Sequence, residues 1–167
     1  METREFISGK IFDREALRKQ IAVWRFMNQK IIFTNGCFDI LHLGHVEYLS
    51  KAKDLGGKLV IGLNSDRSVR NLKGPGRPVM DEKTRSIVLA SFVFVDAVVL
   101  FDEDTPAGLI GFIQPDYLVK GNDYKPEEIA GHEIVEAGGG KVVTIDLTPG
   151  YSTTSVVNRI LVSDKQQ

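Results

Sequence analysis

The chain has 167 residues, 43% hydrophobic and 26% charged, with a formal net charge of −1 at neutral pH. That balance suits one globular domain with a sizeable core and excludes broad electrostatic attraction to nucleic acid or to an anionic membrane. One cysteine cannot make an internal disulfide, residues 1–30 do not read as a signal peptide, and no run approaches the ~20 apolar residues of a membrane span, so a soluble, cytoplasmic protein is expected.

Residues before Asp13 read as an irregular lead-in. Asp13 can cap a helix over 13–28, where Leu17, Ile21 and Trp24 recur at helical spacing, so Trp24 is assigned to packing rather than to substrate stacking. Residues 30–49 then read as strand, loop and helix: Ile31-Ile32-Phe33 runs into Thr34-Asn35-Gly36, and a helical pattern opens near Gly44-His45. In an open parallel sheet ligands bind beyond the carboxyl ends of strands, and a helix start offers free N–H groups to an anion. His42 and His45 sit at that junction, which reads as a phosphate site. The spacing matches neither a Walker A loop nor a dinucleotide fingerprint, and with only Cys37 nearby the pair makes a poor zinc site.

A second strand is expected over 58–64, ending in Ser65-Asp66-Arg67, which suits either a ligand contact or simple turn chemistry. Residues 71–78 form a loop carrying Lys73 and Arg77, either a mobile flap over phosphates or a solvated loop. Asp81 can cap a helix whose buried face is Ile87, Val88 and Phe92. Arg85, in its first turns, is ill placed for the helix dipole, which points to a bound anion or an acidic partner. A third strand at 96–101 leads into Asp102-Glu103-Asp104, read as satisfying the start of a helix that carries Leu109, Ile110 and Ile113. A fourth strand at 116–120 leads into Gly121-Asn122-Asp123-Tyr124, suited to base or sugar recognition or to a plain Asx turn. A helix over 126–137 stops at Gly138-Gly139-Gly140, with His132 facing solvent or a neighbour. After a fifth strand at 141–146, Ser152-Thr153-Thr154 opens a last helix with Val156, Val157, Ile160 and Leu161 packing inward, and residues 164–167 form a frayed tail. One hydroxyl can cap that helix; three in succession suggest a second anion cradle.

Strands alternating with helices predict a Rossmann-like α/β domain: a parallel sheet of about five strands with helices on both faces. The domain is taken to fill the chain, with residues 1–29 as lead-in and helix and 30–163 as core.

The run from Thr34 to His45, TNGCFDILHLGH, resembles the signature of the cytidylyltransferase-like nucleotidyltransferases, marked by His-x-Gly-His. Leu72-Lys73-Gly74 with Arg77-Pro78, the stretch 119–129 beginning Val119-Lys120-Gly121, and Gly150-Tyr151-Ser152-Thr153-Thr154 are similar to the adenylyltransferase domain of the heptose-phosphate kinase/adenylyltransferases of lipopolysaccharide precursor synthesis. The resemblance implies strand order 3-2-1-4-5 and transfer of AMP from ATP to a heptose 1-phosphate, giving ADP-heptose and pyrophosphate. It also implies Mg²⁺ bridging the triphosphate without a protein-held metal, a homodimer using Trp24, Phe26 or Phe92, and a separate sugar kinase as supplier. It assigns His42, His45, Lys73 and Arg85 to catalysis. Thr34, Asn35, Gly36, Cys37, Phe38, Gly44, Gly121, Asn122, Asp123, Tyr124, Ser152, Thr153 and Thr154 are assigned to the nucleotide, and Asp39, Asp66 and Arg77 to the sugar phosphate. A CTP-dependent cytidylyltransferase acting on glycerol 3-phosphate or another polyol phosphate is the alternative. Relatives of that kind carry an Arg shortly before Gly-x-Ser-Thr-Thr, where this chain has Leu147-Thr148-Pro149. A non-catalytic nucleotide-binding module is the alternative of another class.

Overall fold

The computed structural model describes residues 2–122 and 126–164. Six parallel strands form one sheet: β1 (Ile11–Phe12), β2 (Ile31–Gly36), β3 (Lys58–Asn64), β4 (Ala97–Phe101), β5 (Tyr117–Gly121) and β6 (Lys141–Ile145), in the order β1-β4-β3-β2-β5-β6. The five expected strands keep their expected order, and the sixth is β1, which adds to the edge at β4 through Ile11 and Phe12 opposite Val98 and Val99. The lead-in is therefore not irregular. It holds a short helix, α1 (Thr3–Ser8), and this edge strand, which at two residues is too short to show any periodicity.

Helices cover both faces. The α2 helix (Arg14–Phe26), capped by the Asp13 carboxylate on the Ala16 amide, lays Leu17, Ile21 and Trp24 against Ile31, Phe33, Val60 and Val99. α6 (Ala107–Ile113) and α7 (His132–Ala137) complete that layer. On the opposite face α3 (Leu43–Lys53) and α5 (Glu82–Ser91) bury Tyr48, Leu49, Ala52, Leu89 and Ala90 against Ile32, Leu59, Ile61 and Val98. Alternation along β2 thus feeds two cores, as expected of a sheet covered on both sides.

Several expectations change. Ser65-Asp66-Arg67 is not a turn: Ser65 caps α4 (Asp66–Lys73), its hydroxyl accepting from the Ser68 amide. α5 turns Arg85, Ser86, Leu89 and Ala90 inward and leaves Ile87, Val88 and Phe92 only half-buried, because the two polar side chains find partners inside. Asp102 and Glu103 do not cap α6; they pair with Arg67 and Arg14. The helix expected over 126–137 is a 3-10 turn (Pro126–Glu128) followed by α7, separated at Gly131, whose φ of 92° no continuous helix allows. The last helix, α8 (Thr153–Asp164), leaves Val156 and Val157 half-buried and Ile160 exposed, while the side chain of Leu161 and residues 165–167 lie outside the described set.

A Cβ at residue 131 would lie 2.4 Å from Ile110 Cδ1. Gly131→Ala therefore combines left-handed strain with overpacking and is expected to destabilise the fold by about 1–3 kcal/mol, read as a shifted midpoint in urea unfolding.

Candidate active site

From β2 the chain proceeds outward through β3 to β4, then returns to lay β5 on the other side of β2. β2 and β5 therefore flank the switch point, and a cleft of about 840 Å³ opens beyond their carboxyl ends. Its lining brings together Asn35 and Gly36 at the end of β2 with Cys37, Phe38 and Asp39 after it, His42, Gly44 and His45 at the start of α3, Lys73 at the end of α4 with Arg77 beyond it, Gly121 at the end of β5, and Ser152, Thr153 and Thr154 at the start of α8. The two imidazoles and the hydroxyl run, far apart in sequence, share one cavity.

His42 occupies the N-cap position of α3 with no side-chain cap of its own, and its carbonyl accepts from the His45 amide at 2.9 Å. The rings stack with centroids 3.9 Å apart and planes 23° from parallel, while Phe38 tilts against His45 at 5.3 Å. Burial lowers the His42 pKa. Burial, then the neighbouring His42, lowers that of His45 to about 4, so at pH 7 its ring is a neutral imidazole, able to donate from one nitrogen and accept at the other. Each ring buries an Nδ1 with no partner among the described residues, an arrangement that a bound ligand would complete. Gly44 permits the geometry: a Cβ there would meet His42 Nδ1 at 3.1 Å and Tyr151 Cβ at 3.2 Å.

Ser152 caps α8, its hydroxyl accepting from the Ser155 amide at 3.0 Å, which leaves Thr153 and Thr154 as the other two hydroxyls of the run in the cleft. Lys73 is exposed at the end of α4, with no ion-pair partner among the described residues. Arg77 lies across the cleft wall on Asp39, Nη1 to Oδ2 at 2.8 Å. Burial would raise the Asp39 carboxyl, but hydrogen bonds from the Met80 amide, Arg77 and the Val79 amide outweigh it and hold the group below the usual carboxylate range. The Cys37 thiol is pushed up by burial, which keeps it protonated and a poor nucleophile.

Four assigned residues stand elsewhere. Arg85 is buried and does not line the cleft, and its acidic partner is Asp66, 2.7 Å away, itself outside the lining. Thr34 is buried beneath the cleft lining: its hydroxyl pairs with Tyr48 Oη at 2.8 Å, and Tyr48 in turn donates to the Val119 carbonyl at 3.0 Å. Asn122 is exposed, its amide on the Asp146 carboxylate at 2.6 Å. Asp123 and Tyr124 lie outside the described residues. Conversely, Tyr48, Asn64, Val69, Leu72, Lys120, Leu147, Thr148 and Tyr151 line the cleft without having been assigned a role. Two carried a signal. Tyr48 falls one turn beyond His45 on the same helix, and Lys120, whose Nζ is 2.6 Å from Asn35 Oδ1, immediately precedes Gly121 at a strand end.

A polar cleft at the switch point of a doubly covered parallel sheet defines a Rossmann-like ligand-binding domain. The chain belongs to the cytidylyltransferase-like family of nucleotidyltransferases, which matches residues 33–159. It is 54% identical over 153 residues to the bifunctional protein HldE of Syntrophotalea carbinolica, an alignment covering 92% of this chain and 31% of that protein. HldE of Bradyrhizobium diazoefficiens is 54% identical over 149 residues, 89% of this chain and 30% of its own. The chain thus spans about a third of the length of these curated relatives. Among solved structures, the lipopolysaccharide core biosynthesis protein of Thermoplasma volcanium superposes with a TM-score of 0.58 at 28% identity, over 72% of this chain and 97% of that one. No helix among the described residues is long and apolar enough to cross a membrane.

As pH falls below 6.5 an unfolded chain protonates at residue 45 while the folded chain does not, so stability declines from pH 6.5 downward and levels off near 4. Urea midpoints measured across that range should show the decline, and His45→Gln should flatten it. Gly44→Ala should leave the unfolding free energy at pH 7 within about 1 kcal/mol of wild type while displacing the His42 ring, visible as changed imidazole NMR shifts.

Proposed function

We propose that the protein transfers AMP from ATP to a sugar 1-phosphate, a heptose 1-phosphate by its resemblance to the heptose-phosphate adenylyltransferase domains, releasing ADP-heptose and pyrophosphate. The observation that carries this reading is the shared cleft: stacked imidazoles and a hydroxyl-bearing helix start line one cavity beyond the switch point of the sheet. Identity of 54% to HldE over 92% of the chain supports the choice of reaction.

In this reaction a phosphate oxygen of the sugar attacks the α-phosphorus in line, and the bond to the β,γ-pyrophosphate breaks. The attacking oxygen is already anionic, so no protein nucleophile or base is required, and the protein contributes alignment and stabilisation of growing negative charge. His42 and His45 donate to the α-phosphoryl and bridging oxygens from neutral rings. The amides and hydroxyls of Thr153 and Thr154, on the turn that Ser152 caps, cradle the β- and γ-phosphates, favoured by the positive end of α8. Gly36, Gly44 and Gly121 let backbone approach the nucleotide, with Asn35, Cys37 and Phe38 forming the floor beneath it, while Lys73 and Arg77 neutralise phosphate charge and Asp39 orients Arg77.

Magnesium enters as part of the triphosphate substrate. Asp39, the one carboxylate among the described lining residues, is occupied by Arg77 and two amides, and the described residues contain no cluster of three or more His, Cys, Asp or Glu side chains. Such a cleft suits an ion held by phosphate oxygens and water. A sugar kinase activity must supply the 1-phosphate. Phe26, 90% exposed, is the one proposed dimer contact left open to a second copy, whereas Trp24 is buried in the core and Phe92 packs on Phe94.

Purified protein mixed with MgATP and D-glycero-D-manno-heptose 1-phosphate should release pyrophosphate, and calorimetry should show ATP bound in preference to CTP; preference for CTP with glycerol 3-phosphate would replace this reading with the cytidylyl one. His45→Ala should lower turnover by about 10²–10³ without loss of fold.

A further inference from the structure

Resting on the reading above, we propose that Arg85 and Asp39 form a buried clamp that positions the loop from Lys73 to Met80 over the histidine pair, with Arg85 a positioning residue that touches no phosphate. The loop needs such a device. Between the end of α4 at Lys73 and the start of α5 at Glu82 lies Gly74-Pro75-Gly76-Arg77-Pro78, which neither helix nor strand can continue. Yet Lys73 and Arg77, at the near end and middle of that loop, must stand opposite His42 and His45 for both groups to meet one ligand.

Two buried charges supply the constraint. The Arg85 guanidinium, on a residue 1% exposed, donates from Nε to the Met80 carbonyl at 2.9 Å, from Nη1 to the Cys37 carbonyl at 2.6 Å and from Nη2 to Asp66 Oδ1 at 2.7 Å. Asp39, 5% exposed, accepts from the Val79 amide at 2.8 Å and the Met80 amide at 2.9 Å, and from Arg77. Met80 is thus gripped at both its N–H and its C=O. One grip comes from the 37–39 turn that leads to His42, and the other reaches back to that same turn through Cys37. The Asp66 amide donates to Glu82 Oε2 at 2.8 Å, which closes the assembly onto the starts of α4 and α5.

A buried guanidinium is tolerated only when charge-paired and hydrogen-bonded, and its planar fork fixes several partners at once. Lysine offers one point of attachment in its place. Direct action on a phosphate would require Arg85 to face the cleft, where Lys73, Arg77, Asp39 and Cys37 stand and Arg85 does not.

The test uses Arg85→Lys, with Asp66→Asn as a milder variant that removes charge outside the cleft. Amide hydrogen exchange by NMR should accelerate about tenfold or more at Val79 and Met80 in Arg85→Lys, and less in Asp66→Asn. In the assay above kcat should fall about tenfold to a hundredfold, with KM for ATP within about threefold of wild type. Unchanged exchange at both amides overturns the clamp. A raised KM for ATP with kcat retained would mean that Arg85 binds phosphate directly, and a lower melting temperature with unchanged kcat would mean that it serves stability alone; either overturns the positioning role. Wild-type protein that releases no pyrophosphate defeats the adenylyl-transfer reading instead, and the exchange data still decide whether the clamp exists.

Discussion

The pairing of β2 with β5 is the constraint on which the rest of the structure depends. Ile32 and Phe33 lie opposite Tyr117 and Leu118, so a strand and its neighbour, 85 residues further along the chain, run in the same direction side by side. β3 and β6, the outer neighbours of this pair, add Asn64 and lead into Lys73 and Thr148 at the rim of the cleft, but separating β2 from β5 would abolish it. The loops that leave them have no choice but to diverge to opposite faces, and the space between them is the cavity.

Around that seam the structure uses two kinds of interior. Most of it is apolar and held by close packing alone. The wall formed by α4, α5 and the turn after β2 is different: Asp39, Arg85, Asn64, Ser68 and Ser86 are buried there among hydrogen bonds. Buried polar groups stabilise weakly, since the cost of dehydration offsets much of their attraction, but they are directional and tolerate few alternative arrangements. Such a wall gives up some stability for geometric definition, and it borders the cleft where a charged ligand would be held.

The outline of this architecture was legible in the sequence because the main strands are apolar runs of ordinary length and the chemistry-bearing residues fall at their carboxyl ends. His42 and His45 can be placed by that rule, whereas bringing the Ser152–Thr154 run to the same crevice needs the strand order, which comes from resemblance. Elsewhere periodicity failed for physical reasons. α4 buries only Ser68 and Val69, too little to print an apolar stripe, and its Ser65 cap reads equally well as a turn. α5 was read in the wrong rotation because a reading that seeks apolar faces cannot anticipate an arginine in the core. For Arg85 the sequence leaves a bound anion and an acidic partner both open, and the resemblance favours phosphate; nothing in a single sequence says that the partner is Asp66. Thr34 sits in the signature stretch yet turns its hydroxyl to Tyr48, since in a strand alternate residues face opposite sides.

That last contact has a wider meaning. Thr34 belongs to β2, Tyr48 to α3 and the Val119 carbonyl to β5, so a relay of two hydroxyls stitches the helix to both strands of the seam at one point beneath the cleft. The helix that carries His45 is thus riveted from below, while Phe38, in the loop that leads into it, lies against the His45 ring from the side. With the helix anchored to both strands of the seam, Asp39 in the segment from Phe38 to Leu41 can hold the Val79 and Met80 amides against a fixed floor.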